Sequence, residues 1–182
     1  ARDAAGHGFL GLDVGPTGKL LAPMGDLDFD AAVASFRQVV EAGVRAGADV
    51  IFVETMTDLY ELKAAVLAAR ECCGLPVLAS VAFDGNGRLL TGGDPAALVS
   101  LLEGLGVTAL GVNCGVGPIQ LAPTARRLLE LASVPVLLKP NAGLPCTEGG
   151  HTHYDIDAEQ FAAAMAPLAA AGARLLGGCC GT

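Results

Sequence analysis

The chain has 182 residues, which is enough for one domain with a substantial hydrophobic core. Its formal net charge is -8 and its lysines and arginines form no cluster, which excludes a surface built to bind nucleic acid or an anionic membrane. Hydrophobic residues make up 52% of the chain, but no apolar run reaches the roughly 18 to 20 residues of a membrane span and no signal-peptide pattern is present, so we expect a cytoplasmic protein.

Short apolar runs alternate with segments of helical periodicity along the whole chain. Strands without polar alternation are buried on both faces, which is typical of a parallel sheet covered by helices. The pattern therefore predicts a parallel α/β fold. The predicted strands span residues 8–14, 49–53, 76–82, 108–113, 135–139 and 173–176, and the predicted helices span residues 30–46, 58–72, 95–105, 119–132 and 158–171.

Three of the predicted helices begin with a clear capping signal. Asp58 and Asp157 are followed three positions later by Glu61 and Gln160, the pattern of a capping box in its Asp form. Asp94 precedes a proline, which suits the first turn of a helix. These signals fix where the helices begin.

The sheet could be an open doubly wound sheet or a closed barrel. No glycine-rich dinucleotide fingerprint follows the first predicted strand. Residues able to do chemistry recur instead at the carboxyl ends of successive strands, as in a (β/α)8 TIM-type barrel. We therefore predict such a barrel, present as an incomplete one with about six strands, which ends just after its last strand.

The cysteines divide according to the end of the strand that they occupy. Cys114 follows the fourth predicted strand, and Cys179 and Cys180 follow the sixth, so all three are expected on the active face. Adjacent cysteines form a disulfide only with strain, which favours reduced thiols or metal ligands. The other three are weaker candidates, because two end a helix on the opposite face and one lies in a long loop: Cys72, Cys73 and Cys146.

Three thiols at two strand ends predict a zinc site with one position left open. Two alternatives remain at this point. One is a metal-free barrel enzyme acting on a phosphorylated metabolite, with the glycines of residues 141–143 and 177–178 supplying backbone amides to the phosphate. The other is an inactive barrel fragment that associates through open strand edges.

Five distinctive segments occur along the chain: residues 15–18 (GPTG), 53–63 (VETMTDLYELK), 112–118 (VNCGVGP), 139–145 (KPNAGLP) and 177–182 (GGCCGT). They resemble the homocysteine-binding zinc domain of the homocysteine S-methyltransferases, and within that family the chain is most similar to the domain at the N-terminus of cobalamin-dependent methionine synthases. The resemblance covers essentially the whole chain.

The resemblance implies an eight-stranded barrel whose zinc is held by Cys114, Cys179 and Cys180, with the homocysteine sulfur in the fourth position. It further implies that Asn141 lies beside the metal as a weak fourth ligand when substrate is absent, and that Glu54 binds the substrate amino group. The implied reaction is zinc-dependent methyl transfer to homocysteine, which gives methionine.

The resemblance also bears on the substrate pocket, the methyl donor and the extent of the domain. Asn113, which precedes the first zinc cysteine in the matching segment, is expected to contact substrate. Related enzymes use methylcobalamin, betaine, S-methylmethionine or S-adenosylmethionine, and the similarity favours methylcobalamin held on another domain or partner. Residues 1–182 are predicted to lack the first two strand–helix units and the last helix of the family's barrel, and to form homo-oligomers or domain swaps through the open strand edges.

Overall fold

The computed structural model describes residue 6 and residues 8–182; residues 1–5 and 7 of the predicted domain lie outside the described residues. The strands are β1 (Gly11–Val14), β2 (Val50–Met56), β3 (Val77–Val81), β4 (Ala109–Asn113), β5 (Val136–Lys139), β6 (Pro145–Glu148), β7 (His151–Tyr154) and β8 (Leu175–Leu176). Six of them form one sheet in the order β1-β2-β3-β4-β5-β8, and every pairing in it is parallel. The predicted parallel α/β fold is confirmed.

Helices alternate with these strands: α1 (Phe29–Arg45), α2 (Leu59–Cys72), α3 (Pro95–Gly104), α4 (Pro118–Leu131) and α5 (Ala158–Ala170). Their apolar faces pack against the sheet, where side chains such as Ile51, Leu110 and Leu138 are fully buried. Among the described residues, no helix is both long enough and apolar enough to cross a membrane.

The capping signals are confirmed at two helices and half confirmed at a third. Asp94 caps α3 ahead of its first-turn proline, and Asp157 forms a complete capping box with Gln160. Asp58 caps α2 by accepting the backbone N–H of Glu61 at 3.1 Å. The side chain of Glu61 does not turn back to complete that box, because it instead accepts hydrogen bonds from the loop that follows β1.

An ion pair shows that the sheet is strongly curved. Strands β2 and β5 lie three strand spacings apart, about 14 Å along the sheet. Lys139 at the end of β5 nevertheless places its Nζ 2.6 Å from Oε2 of Glu54 on β2. The two side chains can meet only across the concave face of a sheet that curls toward closure, which is the geometry of part of a (β/α)8 barrel.

The segment between β5 and α5 differs from the loop that the sequence predicted. Strands β6 and β7 form an antiparallel hairpin joined at Gly149 and Gly150, which have φ values of 58° and 81°. Positive φ at both positions is what a two-residue hairpin turn requires, and glycine adopts it without steric cost. Cys146 therefore lies on a strand of this hairpin and not in a loop.

Candidate metal centre

The three cysteines predicted to share a face are brought together by the fold. Cys114 directly follows β4, and the vicinal pair lies just beyond β8. The Sγ atom of Cys180 lies 3.9 Å from that of Cys114 and 4.0 Å from that of Cys179. All three sulfur atoms lie within 4.8 Å of one another, at the carboxyl ends of the strands.

These separations fit a single metal ion. Sulfur ligands placed about 2.3 Å from a tetrahedral zinc ion lie about 3.8 Å from one another. The sulfur–sulfur distances of 3.9 and 4.0 Å are close to this value. Three soft thiol ligands also match the preference of zinc for sulfur. The site can therefore hold zinc with one coordination position free.

The carboxyl end of β5 supports both halves of the thiol cluster. The backbone N–H of Cys114 donates to the carbonyl oxygen of Lys139 at 3.0 Å, and the N–H of Cys179 donates to the carbonyl oxygen of Pro140 at 2.9 Å. Strand β5 lies between β4 and β8 in the sheet. Strand β5 thus holds Cys114 on one side and the vicinal cysteines on the other.

Cys114 has a backbone conformation that is unusual for a residue with a side chain. Its φ of 58° lies in the left-handed region, which costs about 1 to 2 kcal/mol for residues other than glycine. The N–H of Val116 donates to the carbonyl oxygen of Cys114 at 2.8 Å and closes a tight turn. This turn directs the Cys114 thiol toward the vicinal cysteines.

Asn141 lies next to the vicinal pair and is 5% exposed. Its side-chain Oδ1 accepts the backbone N–H of Cys180 at 3.1 Å, and its own backbone N–H donates to Val116 at 3.2 Å. The structure therefore brings Asn141 to the thiol cluster. Its observed contacts hold the loops that carry the three cysteines.

Asn113 is fully buried beneath the cluster. Its Oδ1 accepts the N–H of Thr55 at 2.8 Å and the hydroxyl of Ser80 at 2.7 Å. Its Nδ2 donates to Oγ1 of Thr55 at 2.6 Å and faces Sγ of Cys179 at 3.9 Å. The amide thus connects the ends of β2, β3 and β4 with one thiol of the cluster.

Thr55 carries a second backbone irregularity. Its φ is 63°, and the register of β2 against β3 shifts between Val53 and Met56, which marks a β-bulge. A β-branched residue in this region is strained, and the surrounding contacts must hold it there. The paired hydrogen bonds with Asn113 do so, and the bulge bends the strand just after Glu54.

Glu54 lies on the concave face near the end of β2, where its carboxylate forms an ion pair with a lysine of the same chain. Its carboxylate contacts the Nζ of Lys139 at 2.6 Å, and the two side chains are 15% and 23% exposed. The same Nζ lies 4.6 Å from the centroid of the Phe52 ring. Glu54 does not cap α2, since that role belongs to Asp58.

The electrostatics of the metal-free cluster favour the protonated form of the Cys179 thiol. Burial, reinforced by the neighbouring thiols of Cys114 and Cys180, raises the pKa of Cys179 to about 11. Three thiolates packed together without a counter-ion would repel one another, so the observed spacing suits either neutral thiols or thiolates around a cation.

The other cysteines lie outside the cluster, as the strand-end rule predicted. Cys72 is the last residue of α2 and Cys73 is its C-cap, so both lie where the chain enters β3, at the amino ends of the strands. Cys146 is exposed on β6.

The hairpin also contacts the segment that carries the vicinal cysteines. Strand β7 ends at Tyr154, whose ring packs so closely on Gly181 that a Cβ at that position would lie 2.3 Å from the ring.

Sequence reasoning missed three residues that the structure places in the site. Lys139 is the partner of Glu54, and a lone lysine at the end of an apolar strand was the available signal. Thr55 and Ser80 hold Asn113, but nothing in their sequence context distinguishes them from ordinary strand residues.

A curved parallel α/β sheet that gathers three thiols at the carboxyl ends of its strands defines a barrel protein with a thiol-rich site of the kind that binds a metal ion. The sequence model of the homocysteine S-methyltransferase family matches residues 1–182. The chain belongs to that family.

Individual relatives agree with this assignment. Methionine synthase from Mycobacterium tuberculosis is 35% identical over 175 residues, which is 93% of this chain and 15% of that protein. Methionine synthase from Mycobacterium leprae is 34% identical over 175 residues and is covered to 14% of its length. The chain thus spans about one seventh of the curated relatives that it matches.

Solved structures show the same fold. The apo form of the homocysteine methyltransferase MmuM from Escherichia coli superposes with a TM-score of 0.76 at 29% identity, over 100% of this chain and 60% of that one. Its metallated form superposes with a TM-score of 0.66 over 82% of this chain and 48% of that one. N-acetylneuraminate lyase from Mycoplasma synoviae, 12% identical with a TM-score of 0.51, shares the fold alone.

Proposed function

We propose that this chain binds one zinc ion through Cys114, Cys179 and Cys180 and activates the thiol of homocysteine for methyl transfer, which gives methionine. The observation that carries the proposal is the convergence of three thiols, all within 4.8 Å of one another, in a chain of the homocysteine S-methyltransferase family. Residues 1–182 would then act as the homocysteine-binding domain.

Zinc held by these cysteines would keep the substrate thiol as an electron-rich thiolate at neutral pH. Thiol donors suit this task because they leave the metal less electrophilic than the histidine and carboxylate ligands of zinc hydrolases do. The chain's contribution is to hold three sulfur atoms in place. It does so through β5 and through the buried amide of Asn113.

The residues around the cluster divide into substrate contacts and positioning residues. Glu54 is assigned to the substrate ammonium, because its carboxylate already accepts a cation in a partly buried setting. Asn141 is assigned as the weak fourth ligand of the substrate-free site, a role supported by its place beside Cys180. The polar atoms of Asn113 are all engaged within the protein, which favours positioning over the substrate contact expected from the sequence.

The methyl donor in this proposal is methylcobalamin carried by another domain or partner. Support comes from the similarity to two methionine synthases, of whose length the chain covers only 15% and 14%. A donor held elsewhere must reach the substrate sulfur from the carboxyl face of the strands, where the cluster lies.

The proposal is tested by zinc content. Elemental analysis of purified protein should give about one zinc per chain, and changing any one of the three cluster cysteines to Ser should abolish tight binding. Cys72→Ser and Cys73→Ser are matched controls, because both thiols lie at the C-terminal end of α2 and outside the thiol cluster. Equal zinc in all five variants would refute the assignment, and so would a zinc-loaded protein that does not bind homocysteine.

A further inference from the structure

We propose that Lys139 determines substrate specificity by binding the α-carboxylate of the substrate while Glu54 binds its α-ammonium, so that the ion pair acts as a receptor for an amino acid zwitterion. This inference rests on the proposed function. It concerns which part of the substrate each charge recognises.

The residues of the ion pair are linked to those of the thiol cluster by a short series of contacts. The backbone carbonyl of Lys139 accepts the N–H of Cys114, and the Lys139 stem lies against Gly177, where a Cβ would be 3.1 Å from its Cγ. Glu54 is covalently joined to Thr55, whose partner Asn113 faces Cys179. Homocysteine has two methylene groups between its sulfur and its α-carbon, so a thiol bound at the cluster directs both α-substituents toward this neighbourhood.

The charges of the site call for a cation at this place. With zinc bound, three thiolates would leave the cluster with a net charge of about -1, Glu54 adds another negative charge, and a substrate carboxylate would add a third. In the part of the chain that the structure describes, Lys139 is the one lysine or arginine in the six parallel strands. It is held by the Phe52 ring and by Glu54, so its ammonium is oriented before substrate arrives.

A carboxylate–ammonium pair can open around a zwitterion without leaving a charge unpaired. In the free protein the two groups satisfy each other at 2.6 Å while only 15% and 23% exposed. When an amino acid enters, its ammonium replaces Lys139 at Glu54 and its carboxylate replaces Glu54 at Lys139. Unpaired buried charges are costly, so a ligand that carries both charges is favoured over one that carries either alone.

The test compares three thiols on the zinc-loaded protein by calorimetry. The probes are homocysteine, 4-mercaptobutanoate, which lacks the ammonium, and 3-mercaptopropylamine, which lacks the carboxylate. Lys139→Met should weaken homocysteine and 4-mercaptobutanoate by at least about tenfold and bind 3-mercaptopropylamine at least as tightly as the unaltered protein does, because Glu54 then has no internal cation to release. Lys139→Arg should retain most of the affinity for homocysteine.

Lys63→Met is the matched control, because Lys63 also lies over an aromatic ring, 5.7 Å from the centroid of Phe29, but on helix α2. It should change none of the three affinities. Binding of 3-mercaptopropylamine by Lys139→Met, at least as tight as that of the unaltered protein, also shows that this variant is folded and loaded.

Three results would overturn the inference: equal losses for all three thiols, no loss for homocysteine, or tighter homocysteine binding in Lys139→Met. The last would mean that Lys139 competes with the substrate ammonium for Glu54. If the unaltered zinc-loaded protein bound none of the thiols, the proposed function would fail and the inference with it.

Discussion

Replacing Asn113 by Ala tests whether the buried amide holds the site together. The substitution removes the only side-chain acceptor that the structure shows for the Thr55 N–H and for the Ser80 hydroxyl, and Ser80 is fully buried. A buried donor left unpaired costs about 1 to 3 kcal/mol. The hydroxyl can rotate toward another acceptor while the amide cannot, so we expect a loss of about 3 kcal/mol in the free energy of unfolding.

A graded series makes this measurement decisive. Ser80→Ala removes one of the two bonds to Oδ1 and leaves the Thr55 amide paired, so it should cost only about 1 kcal/mol. Asn86→Ala, in an exposed loop, serves as the control and should change the stability by less than about 0.5 kcal/mol.

The assay is urea unfolding followed by circular dichroism on protein treated with chelator, so that metal binding does not add to the stability. Comparable slopes among the variants would show that the denatured states are alike. If Asn113→Ala proved no more destabilising than Ser80→Ala, the view that this amide secures the bulge at Thr55 would be wrong.

Three further predictions concern the cluster and its neighbours. Cys114→Gly and Cys114→Ala should both lose zinc. With chelator present, the free energy of unfolding of the glycine variant should exceed that of the alanine variant by about 1 kcal/mol, because glycine relieves the strain of the left-handed φ. Equal free energies of unfolding would contradict this strain. Glu54→Gln should keep zinc but weaken homocysteine binding by about 2 to 5 kcal/mol, and unchanged affinity by calorimetry would reject its role. The pKa of Cys179 is raised from 9.0 to about 11 in the folded metal-free protein, so the unfolded chain loses this proton first as the pH rises. The stabilising contribution of this thiol should therefore be complete below pH 9 and be lost toward pH 11. Urea titrations should show that decline in the unaltered protein and a flatter one in Cys179→Ser.

The thiol cluster was predictable from the sequence, whereas the ion pair beside it was not. The position of Cys114 and of the vicinal pair follows from counting strands, since carboxyl ends of parallel strands meet on one face. That Lys139 reaches Glu54 depends on the curvature of the sheet between β2 and β5, which hydrophobic periodicity does not encode.

Local irregularities explain the remaining differences. The bulge at Thr55 places a β-branched residue in a conformation that its type disfavours, so propensity argues against it. The hairpin of β6 and β7 carried a signal, two glycines between short alternating segments, but its polar composition resembles a loop. Glu61 matched a capping box in sequence, but its carboxylate accepts hydrogen bonds from Thr17 and does not bond to the N-cap of α2.

Strand β8 is short, so an ion bound at the cluster would help to hold it against the sheet. Strand β8 pairs with β5 through Leu175 and Leu176, and Leu176 is 48% exposed, so few apolar contacts hold this strand. An ion shared by Cys114 and the vicinal pair would join positions 66 residues apart and act as a cross-link, closing a long loop much as a disulfide does. Release of the ion and detachment of the strand would then be a single opening event, so hydrogen exchange at the amides of Gly177, Cys179 and Cys180 would report the occupancy of the site.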